Sequence, residues 1–262
     1  MKPTLNFIKT IAAQAGDILL ALVHSDLNIQ HKNRIDLVTK ADHDSEQFLI
    51  NAIQTAFPDH AIVAEESGSW EGAQDHQWYI DPLDGTLNYA HGVPIYCVSI
   101  GYACQGRMEL GVVYDPTRGE FFCAQRGQGA TLNEQPIHVS GFSELIDSML
   151  GTGFPKGEAD PVDDNIANFI RFSQQAQCVR RLGSAALAIA YVAAGRLDGF
   201  WEVEIHQWDI AAGGLIVEEA GGVVTDIHGR PDYMTKPPSI LCANPVIHSQ
   251  MLDVINALHN EQ

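Results

Sequence analysis

The chain opens with a helical pattern of apolar and polar positions. Apolar residues recur at intervals of three and four at Leu5, Ile8, Ala12, Ala15, Leu19 and Leu22. This spacing places them on one face and predicts an amphipathic helix at the start of the chain. A second helical pattern covers residues 44–57, where Pro58 ends it. We therefore expect two helices before the first strand.

Short apolar runs that end in carboxylates follow these helices. Residues 61–64 precede Glu65 and Glu66, and residues 78–80 precede Asp81. Further strand patterns, separated by turns rich in glycine, cover 96–102, 109–114, 120–124 and a short piece near 130. Consecutive strands joined by tight turns favour an antiparallel sheet.

Helical and strand patterns alternate in the second half of the chain. The helical patterns cover 164–175, 184–194, 209–219 and 246–259, and the strand patterns cover 197–203, 223–227 and 239–243. The whole predicts an α+β fold of layered sheets and helices. We expect an N-terminal part, 1–145, with the antiparallel sheet, and a C-terminal part, 146–262. No linker-like composition separates them, so we expect one integrated unit.

The composition adds a strong acidic bias. The chain of 262 residues has 15 Lys and Arg against 33 Asp and Glu, a formal net charge of −18. Such a surface repels nucleic acid phosphates and anionic lipids, so we expect neither direct nucleic acid binding nor membrane binding. The longest apolar run, 185–194, is shorter than a bilayer span, and no signal-peptide pattern opens the chain. We expect a cytoplasmic protein that acts on a small molecule.

The acidic turn at 81–88, Asp-Pro-Leu-Asp-Gly-Thr-Leu-Asn, is the most informative segment. Asp81 and Asp84 lie three apart directly after a predicted strand, and Pro82 and Gly85 favour tight backbone geometry. Neighbouring carboxylates repel each other, and a divalent cation offsets that repulsion best. Oxygen ligands suit Mg²⁺ rather than Zn²⁺. The same residues are ordinary in an acidic β-turn, so this segment alone leaves both interpretations open.

Two further acids are candidates for the same site. Glu65 ends a predicted strand and would lie beside Asp81 if the two strands are neighbours. Asp209 follows Trp208 at the start of a helical pattern, where a helix N-cap is the other interpretation. Spacing along the chain does not show whether these acids converge.

Taken together, these motifs resemble the inositol monophosphatase family of metal-dependent, lithium-sensitive sugar-phosphate phosphatases. The resemblance is carried by 81–88 and by Trp-Asp-Ile-Ala-Ala-Gly at 208–213, with matching segments at 39–42, 64–67 and 181–186. It covers nearly the whole chain and is greatest to the bacterial inositol-1-monophosphatase, or extragenic suppressor, type. It implies a layered αβαβα sandwich and a homodimer.

The resemblance implies two to three Mg²⁺ ions. By position, Glu65, Asp81 and the carbonyl of Leu83 match the ligands of a first ion. Asp81, Asp84 and Asp209 match the ligands of a second, so that Asp81 bridges the two. A third, weaker ion would lie near Glu65.

The catalytic and phosphate-binding residues are likewise implied by position. Asp42 and Thr86 match the pair that orients and helps deprotonate the attacking water, with Glu65 close by. Gly85 and Thr86 match the segment whose backbone N–H groups bind phosphate at the start of a helix.

The substrate contacts implied by the resemblance come from both halves of the chain. Glu202 matches an acid that accepts hydrogen bonds from ring hydroxyls, and Asp84, Gly183 and Ala185 match further contacts. A solvated charge on a strand is the other interpretation of Glu202. The segment 151–154, Gly-Thr-Gly-Phe, departs from the animal enzymes, in which a serine contacts the sugar. Selectivity among phosphate esters is therefore open.

The implied activity is Mg²⁺-dependent hydrolysis of myo-inositol monophosphate to myo-inositol and phosphate by in-line attack of metal-activated water. The alternatives within the same chemistry are fructose 1,6-bisphosphate, histidinol phosphate and 3′-phosphoadenosine 5′-phosphate. A non-catalytic role with protein partners is the alternative from another class, since some bacterial relatives are associated with transcription or ribosome-assembly machinery.

Overall fold

The computed structural model describes residues 1–23, 29–31, 37–155 and 165–259. Within these residues there are seven α-helices and one 3-10 helix, Leu145–Asp147. The α-helices are α1 (Leu5–Leu22), α2 (Lys40–Ala56), α3 (Thr86–Ala90), α4 (Ile166–Gln175), α5 (Ala185–Ala193), α6 (Gln207–Glu219) and α7 (Pro245–His259).

The described strands form two large sheets and one two-stranded pair, β1 (Gln30–His31) with β2 (Leu37–Val38). The first large sheet contains β3 (His60–Ala64), β4 (Gly68–Trp70), β5 (Ala73–Asp84), β6 (Cys97–Cys104), β7 (Arg107–Asp115), β8 (Glu120–Gln125), β9 (Ala130–Leu132) and β10 (Gln135–Pro136). The second contains β11 (Met149–Thr152), β12 (Cys178–Arg180), β13 (Gly199–Glu202), β14 (Val223–Thr225) and β15 (Ile240–Ala243).

Both large sheets mix strand directions. The eight-stranded sheet runs β10-β9-β8-β7-β6-β5-β3-β4 and is antiparallel except for the pair β3/β5. The five-stranded sheet runs β12-β11-β13-β15-β14, with β11 parallel to both of its neighbours. The parallel pair β3/β5 matters most for the site, because it carries two acids to the same edge.

Helices and sheets alternate in five layers. The helices α1 and α2 cover one face of the eight-stranded sheet, and α5 and α6 lie between the two sheets. The helices α4 and α7 pack on the outer face of the five-stranded sheet. The structure thus confirms the α+β class and the αβαβα layering expected from the sequence. The predicted division near residue 145 falls between the last strand of one sheet and the first strand of the other.

Helix α1 is amphipathic, as its sequence pattern predicts. Thr4 caps it by accepting a hydrogen bond from Phe7 N–H at 3.2 Å. Its buried residues are Ile8, Ile11, Ala12, Ala15, Gly16 and Leu19. By length and composition α1 could cross a membrane, and 33% of it is buried in the protein. Its buried face packs on α2, β6 and β7, as in the core of a globular protein.

Helix α2 begins at Lys40, earlier than the predicted start at 44. The reason is a capping box. Thr39 Oγ1 accepts a hydrogen bond from Ala41 N–H at 3.1 Å, and the Asp42 carboxylate accepts one from Thr39 N–H at 2.8 Å. Asp42 therefore lies in the first turn of a helix.

Helix α6 is apolar on nearly all sides because it lies between the two sheets. Its buried residues run without interruption from Ile210 to Val217. It approaches β7 closely at Gly111, where an added Cβ would lie 2.7 Å from the carbonyl oxygen of Ala212. This contact fixes where the first turn of α6, with Asp209, meets the eight-stranded sheet.

Several other boundaries differ from the sequence prediction. Strand β5 extends from Ala73 to Asp84, so the acidic turn is the irregular end of a strand rather than a free β-turn. Strands β1, β2, β4, β10, β11 and β12 were not predicted. The pair β1/β2 lies between α1 and α2, so the expectation of two helices before the first strand is wrong. Helix α4 begins at Ile166, whereas its predicted start at 164 lies outside the described residues.

Candidate metal centre

The parallel strands β3 and β5 bring two acids to one edge of the sheet. Ala64 pairs with Ile80, so Glu65 and Asp81, the next residues, are neighbours. The Glu65 N–H donates to the Ile80 carbonyl at 3.2 Å. The charge of Glu65 also helps to raise the pKa of Asp81.

The end of β5 is fixed by hydrogen bonds on both sides of Pro82. Leu83 N–H donates to Asp81 Oδ1 at 2.9 Å. Ser45 of α2 donates its hydroxyl to the Pro82 carbonyl at 3.1 Å. Opposite, on β6, Asp81 pairs with Ser99 and Asp84 pairs with Cys97, and the register shifts between the two acids. This irregularity lets both carboxylates lie on the same side.

Three carboxylates converge at this point. Asp81, Asp84 and Asp209 each offer an oxygen, and these oxygens lie within 4.8 Å of one another. Asp209 also accepts a hydrogen bond from His206 N–H at 3.0 Å through Oδ2. Asp209 is thus the third residue of α6 and part of its capping box, whereas the N-cap is His206, so the N-cap interpretation is wrong. The same side chain joins the acidic trio, and its role as a metal ligand stays a prediction.

The burial and charge of the trio favour binding of a cation. Asp81 is 1% exposed. Burial raises its pKa well above the ordinary value, and the charges of Glu65, Asp84 and Asp209 raise it further. Burial and mutual repulsion both oppose ionisation, and a divalent cation bound between the carboxylates would offset both effects. Carboxylate oxygens are hard donors, so the residues present fit Mg²⁺.

Glu65 and Leu83, the other two predicted ligands, lie beside the trio. Glu65 is half-buried, and its charge also helps to raise the pKa of Asp42. The Leu83 carbonyl accepts a hydrogen bond from the Thr86 hydroxyl at 3.1 Å. Their assignment as metal ligands stays a prediction.

Asp42 and Thr86, the predicted catalytic pair, are in contact. Thr86 Oγ1 lies 3.0 Å from Asp42 Oδ1. The other oxygen of Asp42 accepts hydrogen bonds from the hydroxyl and the backbone N–H of Thr39, at 2.6 and 2.8 Å. Burial is the main cause of the raised pKa of Asp42. The pair thus joins a hydroxyl group to a buried carboxyl group of increased basicity.

Asp84 has partners that the sequence did not reveal. Its Oδ2 atom accepts a hydrogen bond from Ser184 Oγ at 2.6 Å and one from Ala186 N–H at 2.8 Å. The Cys97 thiol lies 3.8 Å from the same oxygen. Ser184 stands inside the matching segment 181–186, which was the available signal for it. Cys97 belongs to no motif, so the sequence did not indicate its contact with Asp84.

Gly183 and Ala185, two predicted substrate contacts, have a structural role in this region. Gly183 has a φ of 82°, and an added Cβ would lie 2.9 Å from Nδ2 of Asn88. Asn88 Nδ2 donates to the carbonyls of Leu182 and Ile95, both at 2.8 Å. Ala185 is the first residue of α5. The backbone explains the glycine, and substrate contact by either residue stays a prediction.

Gly85 and Glu202 complete the predicted set. Gly85, with a φ of 99°, directly precedes α3. Glu202 ends β13, and its carboxylate occupies the space that a Cβ on Gly153 would take. The neighbouring Asn165 accepts from the Trp201 indole N–H and donates to the Gly153 carbonyl, both at 2.6 Å. The glycine at 153 therefore accommodates Glu202, whose role as a substrate contact stays a prediction.

The fold and this site define a layered α+β protein with a carboxylate centre suited to a divalent cation. The model of the inositol monophosphatase family matches residues 1–261. The Nus factor SuhB of Pseudomonas aeruginosa is 43% identical over 243 residues, covering 90% of each chain. The inositol-1-monophosphatase of Synechocystis sp. is 45% identical over 247 residues, covering 93% of this chain and 85% of that relative.

A solved structure agrees with these relatives. The inositol monophosphatase from Anabaena (Nostoc) sp. is 41% identical and has a TM-score of 0.87, with 97% of this chain and 95% of that chain covered. The chain therefore belongs to the inositol monophosphatase family. This confirms the resemblance drawn from the motifs.

Proposed function

We propose that the protein is a Mg²⁺-dependent phosphomonoesterase that hydrolyses myo-inositol monophosphate to myo-inositol and phosphate. The observation that carries the proposal is the convergence of Asp81, Asp84 and Asp209 in a member of a family that is metal-dependent. When bound, such cations neutralise phosphoryl oxygens and lower the pKa of water. Phosphoryl transfer depends mainly on positioning and charge, which this site is built to supply.

The predicted catalytic pair would orient the water and accept its proton. The Thr86 hydroxyl has one proton, which points to Asp42 Oδ1 or to the Leu83 carbonyl. Its oxygen is therefore oriented to accept a hydrogen bond from an attacking water. Asp42, with its raised pKa, is a stronger base than an exposed aspartate.

Selectivity for inositol would come from Glu202. A carboxylate accepts hydrogen bonds from two adjacent ring hydroxyls, which a substrate without them cannot offer. Because Gly153 has no Cβ, the Glu202 carboxylate can lie against the backbone directly after β11. The family likeness extends to relatives named inositol-1-monophosphatase, and this supports the inositol ester over the other sugar and nucleotide phosphates.

A substrate panel tests the proposal. The protein is treated with EDTA, and phosphate release is measured with and without Mg²⁺ and Li⁺ for inositol 1-phosphate, fructose 1,6-bisphosphate, histidinol phosphate and 3′-phosphoadenosine 5′-phosphate. We expect Mg²⁺-dependent release, inhibition by Li⁺, and the highest kcat/KM for inositol 1-phosphate. If another ester ranks first, the inositol assignment is wrong. If no ester is hydrolysed, the phosphatase assignment is wrong.

A second, non-catalytic function is supported by the names of the relatives. Several, including a Pseudomonas aeruginosa protein at 43% identity, are called Nus factor SuhB. We propose that this chain also binds a protein partner of the transcription machinery. The test replaces the Escherichia coli Nus factor SuhB, which is 42% identical, with this chain or with its Asp84→Asn variant. Equal function of both would support the role, and failure of both would contradict it.

We also expect a homodimer in the cytoplasm. The five cysteines are free, which agrees with a reducing compartment. Light scattering should give a mass near twice the 28.6 kDa of one chain. A mass near 28.6 kDa would contradict the dimer without affecting the proposed chemistry.

A further inference from the structure

The carboxylate of Asp84 is held by the second half of the chain. Ser184 Oγ donates a hydrogen bond to its Oδ2 atom at 2.6 Å, and Ala186 N–H donates to the same oxygen at 2.8 Å. Ser184 is 2% exposed, so water does not compete for this contact. Two donors on one oxygen fix the plane of the carboxylate, because the χ2 angle of aspartate otherwise has a broad distribution.

These donors come from the start of α5. Backbone N–H groups in the first turn of a helix lack partners within the helix and favour a negative charge. Here Ala186 N–H finds its partner in Asp84. The Cys97 thiol is a third neighbour of this oxygen, 3.8 Å from it and 3.7 Å from Ser184 Oγ. Asp84 is 7% exposed, so most of its side chain is covered by protein groups.

The position of Ser184 is itself fixed against the acidic turn. Asn88 of α3 donates to the carbonyl of Leu182 at 2.8 Å and lies against Gly183. The backbone before α5 is therefore tied to the helix that follows Asp84. A shift of Ser184 relative to Asp84 would break this contact as well.

We propose that Ser184 is a positioning residue for the metal centre. Its hydroxyl keeps Asp84 in the orientation in which a carboxylate oxygen joins those of Asp81 and Asp209. The proposal rests on the proposed function, since it concerns the cation that the trio binds. Without Ser184, Oδ2 keeps the hydrogen bond from Ala186 N–H but loses the shorter of the two, and repulsion from Asp81 can turn the carboxylate away.

The test compares Ser184→Ala with Ser184→Thr. Mn²⁺ binding to the EDTA-treated protein is measured by calorimetry, and kcat, KM and the Mg²⁺ concentration for half-activation are measured with inositol 1-phosphate. Loss of a hydrogen bond to a ligand costs about 10- to 100-fold in metal affinity. We expect this loss for Ser184→Ala, with KM nearly unchanged at saturating Mg²⁺, and recovery in Ser184→Thr. Ser173→Ala, an exposed serine on α4, is the matched control.

The outcomes separate the two proposals. Wild-type Mn²⁺ affinity in a folded Ser184→Ala protein would overturn the positioning role. If Ser184→Ala does not fold, Ser184→Cys is measured instead, because its thiol is close in size to the hydroxyl group but is a weaker donor. Reduced Mn²⁺ affinity in Ser184→Cys would support the positioning role, and wild-type affinity would overturn it. If the wild-type protein itself binds no Mn²⁺, the metal centre and the proposed function fail, whatever Ser184 does.

Discussion

Each acid of the trio has one carboxylate oxygen held by a donor of the protein. Leu83 N–H holds Asp81, Ser184 holds Asp84, and His206 N–H holds Asp209. Because these donors fix the side chains, the repelling carboxylates are kept together before a cation binds. Such preorganisation limits the rearrangement that metal binding requires.

The first prediction concerns the charge of the trio. Asp84→Asn and Asp209→Asn keep an oxygen acceptor but remove a negative charge. We expect Mg²⁺-dependent phosphate release to fall by about 100-fold or more in each. The melting temperature in EDTA should not fall, because repulsion within the trio is relieved. Mg²⁺-dependent release retained by both variants would refute the assignment of these residues.

The second prediction concerns the Thr86 hydroxyl. Thr86→Ala removes the group that lies 3.0 Å from Asp42, and general-base catalysis contributes about 100-fold or more. We therefore expect kcat to fall by about 100-fold while KM changes little, and Thr86→Ser to stay near wild type. Steady-state kinetics at saturating Mg²⁺ measures both. An active Thr86→Ala protein would remove Thr86 from the mechanism.

At the scale of elements, backbone contacts explain what local patterns did not predict. The helices with apolar periodicity were predicted because their signal is local. The start of α2 was not, because the capping box at Thr39 and Asp42 lies outside the apolar stripe. Strand β5 extends past the apolar run because its main chain pairs with β6 even at polar positions such as His76 and Gln77.

The third prediction concerns the packing of α6. Gly111→Ala would place a Cβ 2.7 Å from the Ala212 carbonyl oxygen. We expect a loss of about 1–3 kcal/mol in the free energy of unfolding, measured in urea, because the helix must shift. Mn²⁺ affinity should fall too, since α6 carries Asp209. Gly141→Ala, where nothing lies within 4 Å of the added Cβ, is the control. Equal stability of the two variants would contradict this account.

The fourth prediction concerns the pH dependence of stability that arises from the buried His60 of β3. His60 stacks on His76 with 4.4 Å between ring centroids and accepts a hydrogen bond from the Trp78 indole at 3.1 Å. Burial, then the charge of His76, lowers the pKa of His60. The folded protein therefore binds fewer protons at His60 than the unfolded chain does between its lowered pKa and the ordinary value of about 6.5.

It follows that stability from this group is present above pH 6.5 and is lost as the pH falls through the lowered pKa. His60→Asn keeps an acceptor for Trp78 and does not titrate. Its urea midpoint should fall less than that of wild type between pH 7.5 and 5.5. The exposed His228→Asn serves as the control. Parallel pH profiles for wild type and His60→Asn would rule out this contribution.

At the scale of the molecule, a net charge of −18 would repel the anionic phosphate ester that we propose as substrate. Bound cations reverse the sign of the potential locally, so the site can attract phosphate while the rest of the surface repels it.

Local sequence patterns do not predict how the acids of the site come together. The pairing of β3 with β5 and the approach of α6 to β7 depend on contacts between distant segments, so the convergence of Asp209 with Asp81 could be inferred only from the family resemblance.

The fifth prediction links cation binding to the stability of the whole protein. At a Mg²⁺ concentration 100 times its Kd, binding adds about 2.7 kcal/mol to the free energy of unfolding. We expect a rise of about 5–10 °C in Tm, and a much smaller rise in Asp209→Asn. Because salt also screens the acidic surface, NaCl at the same ionic strength is the control. Equal shifts with Mg²⁺ and NaCl would contradict a specific site.

The central claim is that three acids from two distant segments, the end of β5 and the start of α6, hold a divalent cation together. Crystals grown with Mn²⁺ test it most directly, because the anomalous signal locates the ion without reference to activity. We expect Mn²⁺ within bonding distance of Asp81, Asp84 and Asp209, and loss of the ion that Asp209 binds in Asp209→Asn. Mn²⁺ bound elsewhere, with Asp209 contacting no ion at saturating concentration, would contradict the account.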